Sequence, residues 1–192
     1  MRRWAVILAV AAPLSFAAYA AGSSNFVAID RCLDAAGAWN YRTNRCEAAP
    51  SVIVDRIYVS KSQHWMAVYQ GGQIVREFRV ALGRGGLKPK EREGDGRVPE
   101  GLYRISAHNP ESAYHLSLRI DYPTPEQSAQ AAARGLKAGG DIMIHGLPNG
   151  RGWVGSRHRR VDWTEGCIAL TDSEMDWLYR AVPDGTPIEI RA

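Results

Sequence analysis

The chain has 192 residues, of which 24 are basic and 20 acidic, giving a formal net charge of +4, and 45% are hydrophobic. That balance is too mild for a nucleic-acid binder and too apolar for a disordered chain, and the length has room for one well-buried domain. No repeat and no long low-complexity linker is detectable.

The N-terminus reads as an export signal. Met1-Arg2-Arg3 is a short basic start, Trp4 to Ala12 is apolar, and Ala18-Tyr19-Ala20 has the small-x-small pattern of a cleavage site. Residues 1–20 are therefore expected to be a signal peptide, with an exported mature chain beginning at Ala21. Its removal deletes Arg2 and Arg3 and no acid, leaving 22 basic and 20 acidic residues and a net charge of +2. The apolar run is shorter than the roughly 20 residues a spanning helix needs, so no stable membrane span is expected after cleavage. No nucleic-acid partner is expected either.

Export decides how the three cysteines are read. Cys32 and Cys46 bracket a polar, turn-rich stretch that has little to bury. In an oxidising compartment they are expected to pair, and closing a loop of about 15 residues is worth roughly 3 kcal/mol in the chain-entropy model. Residues 21–50 are assigned as this stapled N-terminal segment and 51–192 as the main domain. Cys167 is left over, a candidate nucleophile.

From Val52 the pattern changes to strands. Val52 to Ser60 is rich in β-branched residues, and His64 to Gln70 and Gln73 to Leu82 flank Gly71-Gly72, which predicts a hairpin. Gly83 to Gly101 is dense in glycine and charge and predicts a long surface loop with solvated side chains. Its Gly94-Asp95-Gly96 precedes no helix, which argues against a phosphate-binding loop. Short strands follow at Leu102 to Ala107 and His115 to Ile120. Thr124-Pro125-Glu126-Gln127 announces a helix by a capping box with proline at the first position, and Gly135 stops it. Asp141 to Gly146 reads as a buried strand that delivers His145 to its end. Thr171-Asp172-Ser173-Glu174 opens a second helix, amphipathic through Met175, Leu178 and Val182. Asp184-Gly185 then turns the chain into a last strand, Pro187 to Arg191.

The chemistry gathers between the two predicted helices. A thiol is a weak nucleophile until deprotonated, and an imidazole can accept its proton, so His145 and Cys167 form a candidate base and nucleophile. Gly166 permits a tight turn before Cys167, and the backbone N–H groups of Gly166 and Cys167 are candidate donors to an oxyanion. Tyr114, Trp153, Arg157, Trp163 and Thr164 are the candidate substrate-binding residues. His158 is read as a solvated loop residue, and His64, His108 and His115 as structural or surface.

His145-Gly146, followed at a distance by Thr164-Glu165-Gly166-Cys167-Ile168-Ala169-Leu170, resembles the signature of the L,D-transpeptidase (YkuD-type) catalytic domain. The resemblance runs from about Val52 to Arg191 and includes Gly94-Asp95-Gly96, Pro99-Glu100-Gly101 and the closing Gly185-Thr186-Pro187. Among its branches the short YafK-like periplasmic proteins are most similar, through Asn109-Pro110, Tyr122-Pro123 and Asp162-Trp163-Thr164. The resemblance implies a mainly β fold, a β-sandwich or barrel with two short helices. It also implies that Cys167 takes an acyl group from the L-centre of diaminopimelate in a peptidoglycan stem peptide, with His145 as base and the Gly146 carbonyl orienting the imidazole.

A thioester results, captured by an amine in transpeptidation or by water in an amidase or carboxypeptidase reaction, with no cofactor and no metal. Stem peptides are the implied partners, with a wall-linked lipoprotein as a second one. Three positions depart from the common family pattern: Glu165 stands for histidine, Ala169 for arginine and Val98 for threonine. Two other classes compete with the thiol enzyme: a zinc site built from His145, His158 and Cys167, and a noncatalytic peptidoglycan-binding module.

Overall fold

The computed structural model describes residues 27–32, 37–40, 43–48 and 52–192. The expected signal peptide lies outside them. The chain divides into two compact units, residues 1–49 and 50–192. The first contains a short helix α1 (27–32) and an antiparallel pair, β1 (Gly37–Asn40) and β2 (Arg45–Ala48), with Trp39 opposite Cys46. Cys32 and Cys46 form a disulfide, as their spacing and compartment suggested.

The second unit is one curled eight-stranded sheet. In chain order its strands are β3 (Arg56–Ser60), β4 (Trp65–Gln70), β5 (Gln73–Arg79), β6 (Gly101–Asn109), β7 (Ser117–Ile120), β8 (Met143–His145), β9 (Ile168–Ala169) and β10 (Pro187–Arg191). Their spatial order is β5-β4-β3-β10-β6-β7-β8-β9. All neighbours are antiparallel except β10 with β3 and β8 with β9. Just beyond β5, Ala81 exchanges both backbone bonds with Ala169 of β9, at 3.1 and 2.8 Å. The segment after β5 thus meets β9 at this bridge, which curls the sheet's two ends toward each other.

The predicted hairpin forms with Gly71 and Gly72 at φ of 60° and 80°, which glycine adopts without steric cost. Alternation drives the burial. Ile57 and Val59 of β3, Tyr103 and Ile105 of β6, and Ile188 and Ile190 of β10 all point into one core. Two helices cover that core. In α2 (Pro125–Ala133) and α3 (Asp172–Ala181) both capping boxes are complete, Thr124 with Gln127 and Thr171 with Glu174. Met175 and Leu178 of α3 are fully buried, the face its period placed inward.

Residues 84–100 form a largely exposed loop, as the sequence suggested, but one that encloses a buried charged centre. Lys90 and Asp95 pair at 2.8 Å with side chains only 3% and 6% exposed, and Val98 is buried in the core. Lys61, in the turn after β3, is fully buried and donates to the carbonyls of Lys88 and Val98 and to Glu100. The buried charges here satisfy one another and the backbone, while Arg84 and residues 86–89 and 91–94 stay exposed. A 3₁₀ segment (Gly152–Arg160), kinked at Gly155 where φ is 53°, is among the elements that the sequence did not announce.

Candidate active site

β8 and β9 run parallel with His145 opposite Ala169. Cys167 lies two residues before Ala169, at the entry to β9, and continuing the period of two through it turns its side chain toward the face that carries the imidazole. His145 is 4% exposed, and its Nδ1–H donates to the Gly146 carbonyl at 2.7 Å. That bond fixes the tautomer and leaves Nε2 as the basic nitrogen. Burial pushes the imidazole pKa down, against the pull of the Gly146 carbonyl, so the ring is neutral at neutral pH. Gly146 is held in turn by its N–H, which donates to the Tyr114 and Leu116 carbonyls, while Asp172 accepts the next N–H, Leu147, at 2.8 Å. A Cβ on Gly146 would lie 2.9 Å from Asp172 Oδ1 and from His115 Cβ, so the carbonyl that orients the ring sits where only glycine fits.

Cys167 is a free thiol, partly exposed. Its Sγ–H donates to the Asp141 carbonyl at 3.6 Å. Burial raises its pKa, opposed in part by the Met143 N–H and the Lys90 charge, so the resting state is a thiol beside a neutral imidazole. Gly166 turns the chain at φ 121°, a region few residues other than glycine enter. Thr164 is buried and its hydroxyl spans this turn, donating to the Cys167 carbonyl at 2.7 Å and accepting from Gly166 N–H at 3.3 Å. Thr164 was expected to contact substrate; the structure places it inside the nucleophile's turn instead. The same contact occupies the Gly166 N–H, one of the two expected oxyanion donors.

Three rings wall the site on the far side of His145. Tyr114 lies 4.6 Å from the imidazole, Trp163 lies 5.6 Å from it, and the two aromatics stack at 6.1 Å. Trp163 Nε1–H reaches His158 Nδ1 at 3.4 Å. His158, expected in solvent, is 7% exposed, and burial together with the Arg159 charge lowers its pKa to about 4. Arg157, His158 and Trp163 line a cavity of about 370 Å³ with Leu147, Pro148 and Val161. Trp153 does not join them, being 78% exposed on the 3₁₀ segment. On the other side, Asp141 lines a second cavity of about 560 Å³ with Gly139, Gly140, Leu136 and Glu93.

The surrounding histidines are tied to acids: His64 to Asp162 at 2.9 Å, His115 to Asp176 at 2.8 Å and His108 to Asp184 at 2.6 Å. Among the described residues no three His, Cys, Asp or Glu side chains converge as a metal site requires, and no helix is long and apolar enough to cross a membrane. The three departures have local explanations in part. Ala169 is fully buried where it bridges to Ala81, and Val98 fills the core. Glu165 is exposed and pairs with Arg84 at 2.8 Å.

Comparison with known proteins agrees with this arrangement. Residues 54–190 match the YkuD family, described as the L,D-transpeptidase catalytic domain. YafK of Escherichia coli (strain K12), by name a candidate L,D-transpeptidase, is 29% identical over 113 residues, 57% of this chain and 38% of YafK. The helical cell shape determining protein Pgp2 of Campylobacter jejuni, as its K307A mutant, superposes with a TM-score of 0.56 at 26% identity, covering 73% of this chain and 48% of that one. Bd1075 of Bdellovibrio bacteriovorus shares the fold, with a TM-score of 0.50 at 24% identity, covering 73% of this chain and 49% of its own. The chain thus spans less than half the length of each of these relatives. The match over most of its second unit nevertheless settles its descent: the chain belongs to the L,D-transpeptidase (YkuD-type) catalytic domain family.

Proposed function

We propose that the chain is a periplasmic peptidoglycan L,D-transpeptidase in which Cys167 is the nucleophile and His145 the base. The observation that carries this reading is the register that sets His145 of β8 opposite Ala169 of β9, two residues after Cys167, with Nδ1 of His145 committed to the Gly146 carbonyl. As the thiol attacks the carbonyl at the L-centre of diaminopimelate, its proton passes to His145 Nε2 and an S–C bond forms. The C–N bond to the next residue then breaks, and the departing amine takes that proton. A second amine attacks the thioester, gives its proton to His145 and displaces the thiolate, which is reprotonated.

A neutral imidazole beside a protonated thiol favours this order, with proton transfer during attack and no standing ion pair. Cys167 N–H remains a candidate oxyanion donor. Tyr114, Trp163 and Arg157 are assigned to the substrate side, where an aromatic wall and a guanidinium suit a peptide that bears carboxylates. Digesting isolated sacculi with the protein and analysing muropeptides by mass spectrometry tests the reading. New cross-links support transpeptidation. Released lipoprotein or trimmed stems would assign the same thioester to water, and unchanged sacculi with no acylated Cys167 would refute both.

A further inference from the structure

The interior of the 84–100 loop is built around one carboxylate. Asp95 Oδ1 accepts from Lys90 Nζ at 2.8 Å and from Arg97 N–H at 3.1 Å, while Oδ2 accepts from the N–H groups of Glu91 and Arg92 at 2.8 and 3.0 Å. Lys90 also donates to the Arg92 carbonyl at 3.1 Å. Burial would raise this carboxyl, but the Lys90 ammonium and the three N–H groups outweigh it and hold the pKa at about 2. The carboxylate is therefore charged at any pH the protein meets.

This knot touches the catalytic turn. The Arg97 carbonyl packs on Gly166, so closely that a Cβ there would lie 2.8 Å from the oxygen. The Gly96 carbonyl packs on Gly83, whose own neighbour is the Gly166 Cα. Gly83 and Arg84 are in turn bonded to the Thr164 strand, through Arg84 N–H to the Thr164 carbonyl at 2.9 Å. One path of contacts thus runs from Lys90 through Asp95 and Arg97 to Gly166, the residue before the nucleophile.

We propose that the buried Lys90–Asp95 pair is a positioning device for Cys167, holding the 84–100 loop against the Gly166 turn that presents the thiol. The charged and titratable groups around Cys167 are His145 on β8, Asp141 before β8 with Arg119 paired to it, Glu165 in its own turn with Arg84 paired to it, and Lys90 with Asp95 paired to it. Asp141 and Glu165 oppose the thiolate; Lys90 favours it. With no second imidazole at position 165, Lys90 supplies the cation on this side. Both acids are exposed and paired with arginines, whereas the Lys90 ammonium is buried and screened less than they are.

The inference rests on Cys167 being the nucleophile, and the test separates the two. The full chain, as wild type, K90Q and K90R, is alkylated with iodoacetamide from pH 5 to 10, with modification read at Cys167 by mass spectrometry and folding checked by circular dichroism. The expected result is that K90Q moves the pH–rate profile up by about one unit, a roughly tenfold loss of rate near pH 7, while K90R restores most of it. A folded K90Q with the wild-type profile would overturn the proposal and leave the nucleophile assignment standing. A wild-type Cys167 that does not react would overturn both. Should K90Q not fold, D95N decides: with the counter-charge gone and Lys90 kept, the profile moves to lower pH, and an unmoved profile overturns the proposal.

Discussion

Replacing Gly166 by alanine separates the two demands that the site makes on this residue. The backbone stands at φ 121°, and a Cβ would meet the Arg97 carbonyl oxygen at 2.8 Å. Strain in such a region costs about 1–3 kcal/mol, and forcing a methyl group into a packed site adds about 1–3 kcal/mol. The expected loss is therefore about 2–6 kcal/mol, a substantial part of the stability of a domain this size. Gly71 is the control, since its φ is 60° but nothing lies within 4 Å of its Cβ position. G71A should cost only about 1–2 kcal/mol. Guanidinium denaturation of both variants measures the difference directly. If G166A is no more costly than G71A, the 84–100 loop does not press on the catalytic turn, and the reasoning about that wall fails.

Four further outcomes are expected. His158 has a folded pKa lowered from 6.5 to about 4, so its neutral form contributes stability that is present above pH 6.5 and lost as pH falls toward 4. In urea denaturation the wild type should lose about 1–3 kcal/mol more over that window than H158N, after allowance for partial solvent screening; parallel losses would contradict the assignment. T164V removes the hydroxyl that bridges Cys167 O and Gly166 N–H, and should lower kcat at least tenfold with the fold retained; wild-type kcat would show that the bridge does not set the turn. C32S with C46S should lose up to about 3 kcal/mol in the first unit, seen as earlier proteolysis of residues 27–48, while alkylation of Cys167 stays at the wild-type rate. T171A breaks the capping box of α3 and should cost about 1 kcal/mol in guanidinium denaturation.

What the sequence made legible follows the range of the interactions involved. The hairpin at Gly71-Gly72 and both helix starts depend on residues a few positions apart, and all three formed where local chemistry placed them. His145 at the end of a short buried strand was legible from Ile142 to Ile144 for the same reason. The charged loop lies at the surface as read, but its buried centre was missed: whether Lys90 and Asp95 face each other or water depends on how residues 90–97 fold, and Lys61 enters the same loop from more than 35 residues away. Composition sees the lysine but not the acceptors. His158 was misread in the same way, because its burial depends on Trp163 and on the folding of the 3₁₀ segment, which carries no capping signal. Thr164 was assigned to substrate by its nearness to Cys167, yet nearness in a turn is what lets its hydroxyl close that turn.

The account stands most directly on whether Cys167 carries the acyl group. Wild type, C167A and H145A are incubated with a diaminopimelate-containing tetrapeptide stem, quenched in acid, and weighed intact, with the adduct located by peptide mapping. The wild type is predicted to gain the mass of the stem less its leaving residue, mapped to Cys167, with H145A forming it far more slowly and C167A not at all. An adduct of the same mass on C167A, or an H145A that acylates at the wild-type rate, would contradict it.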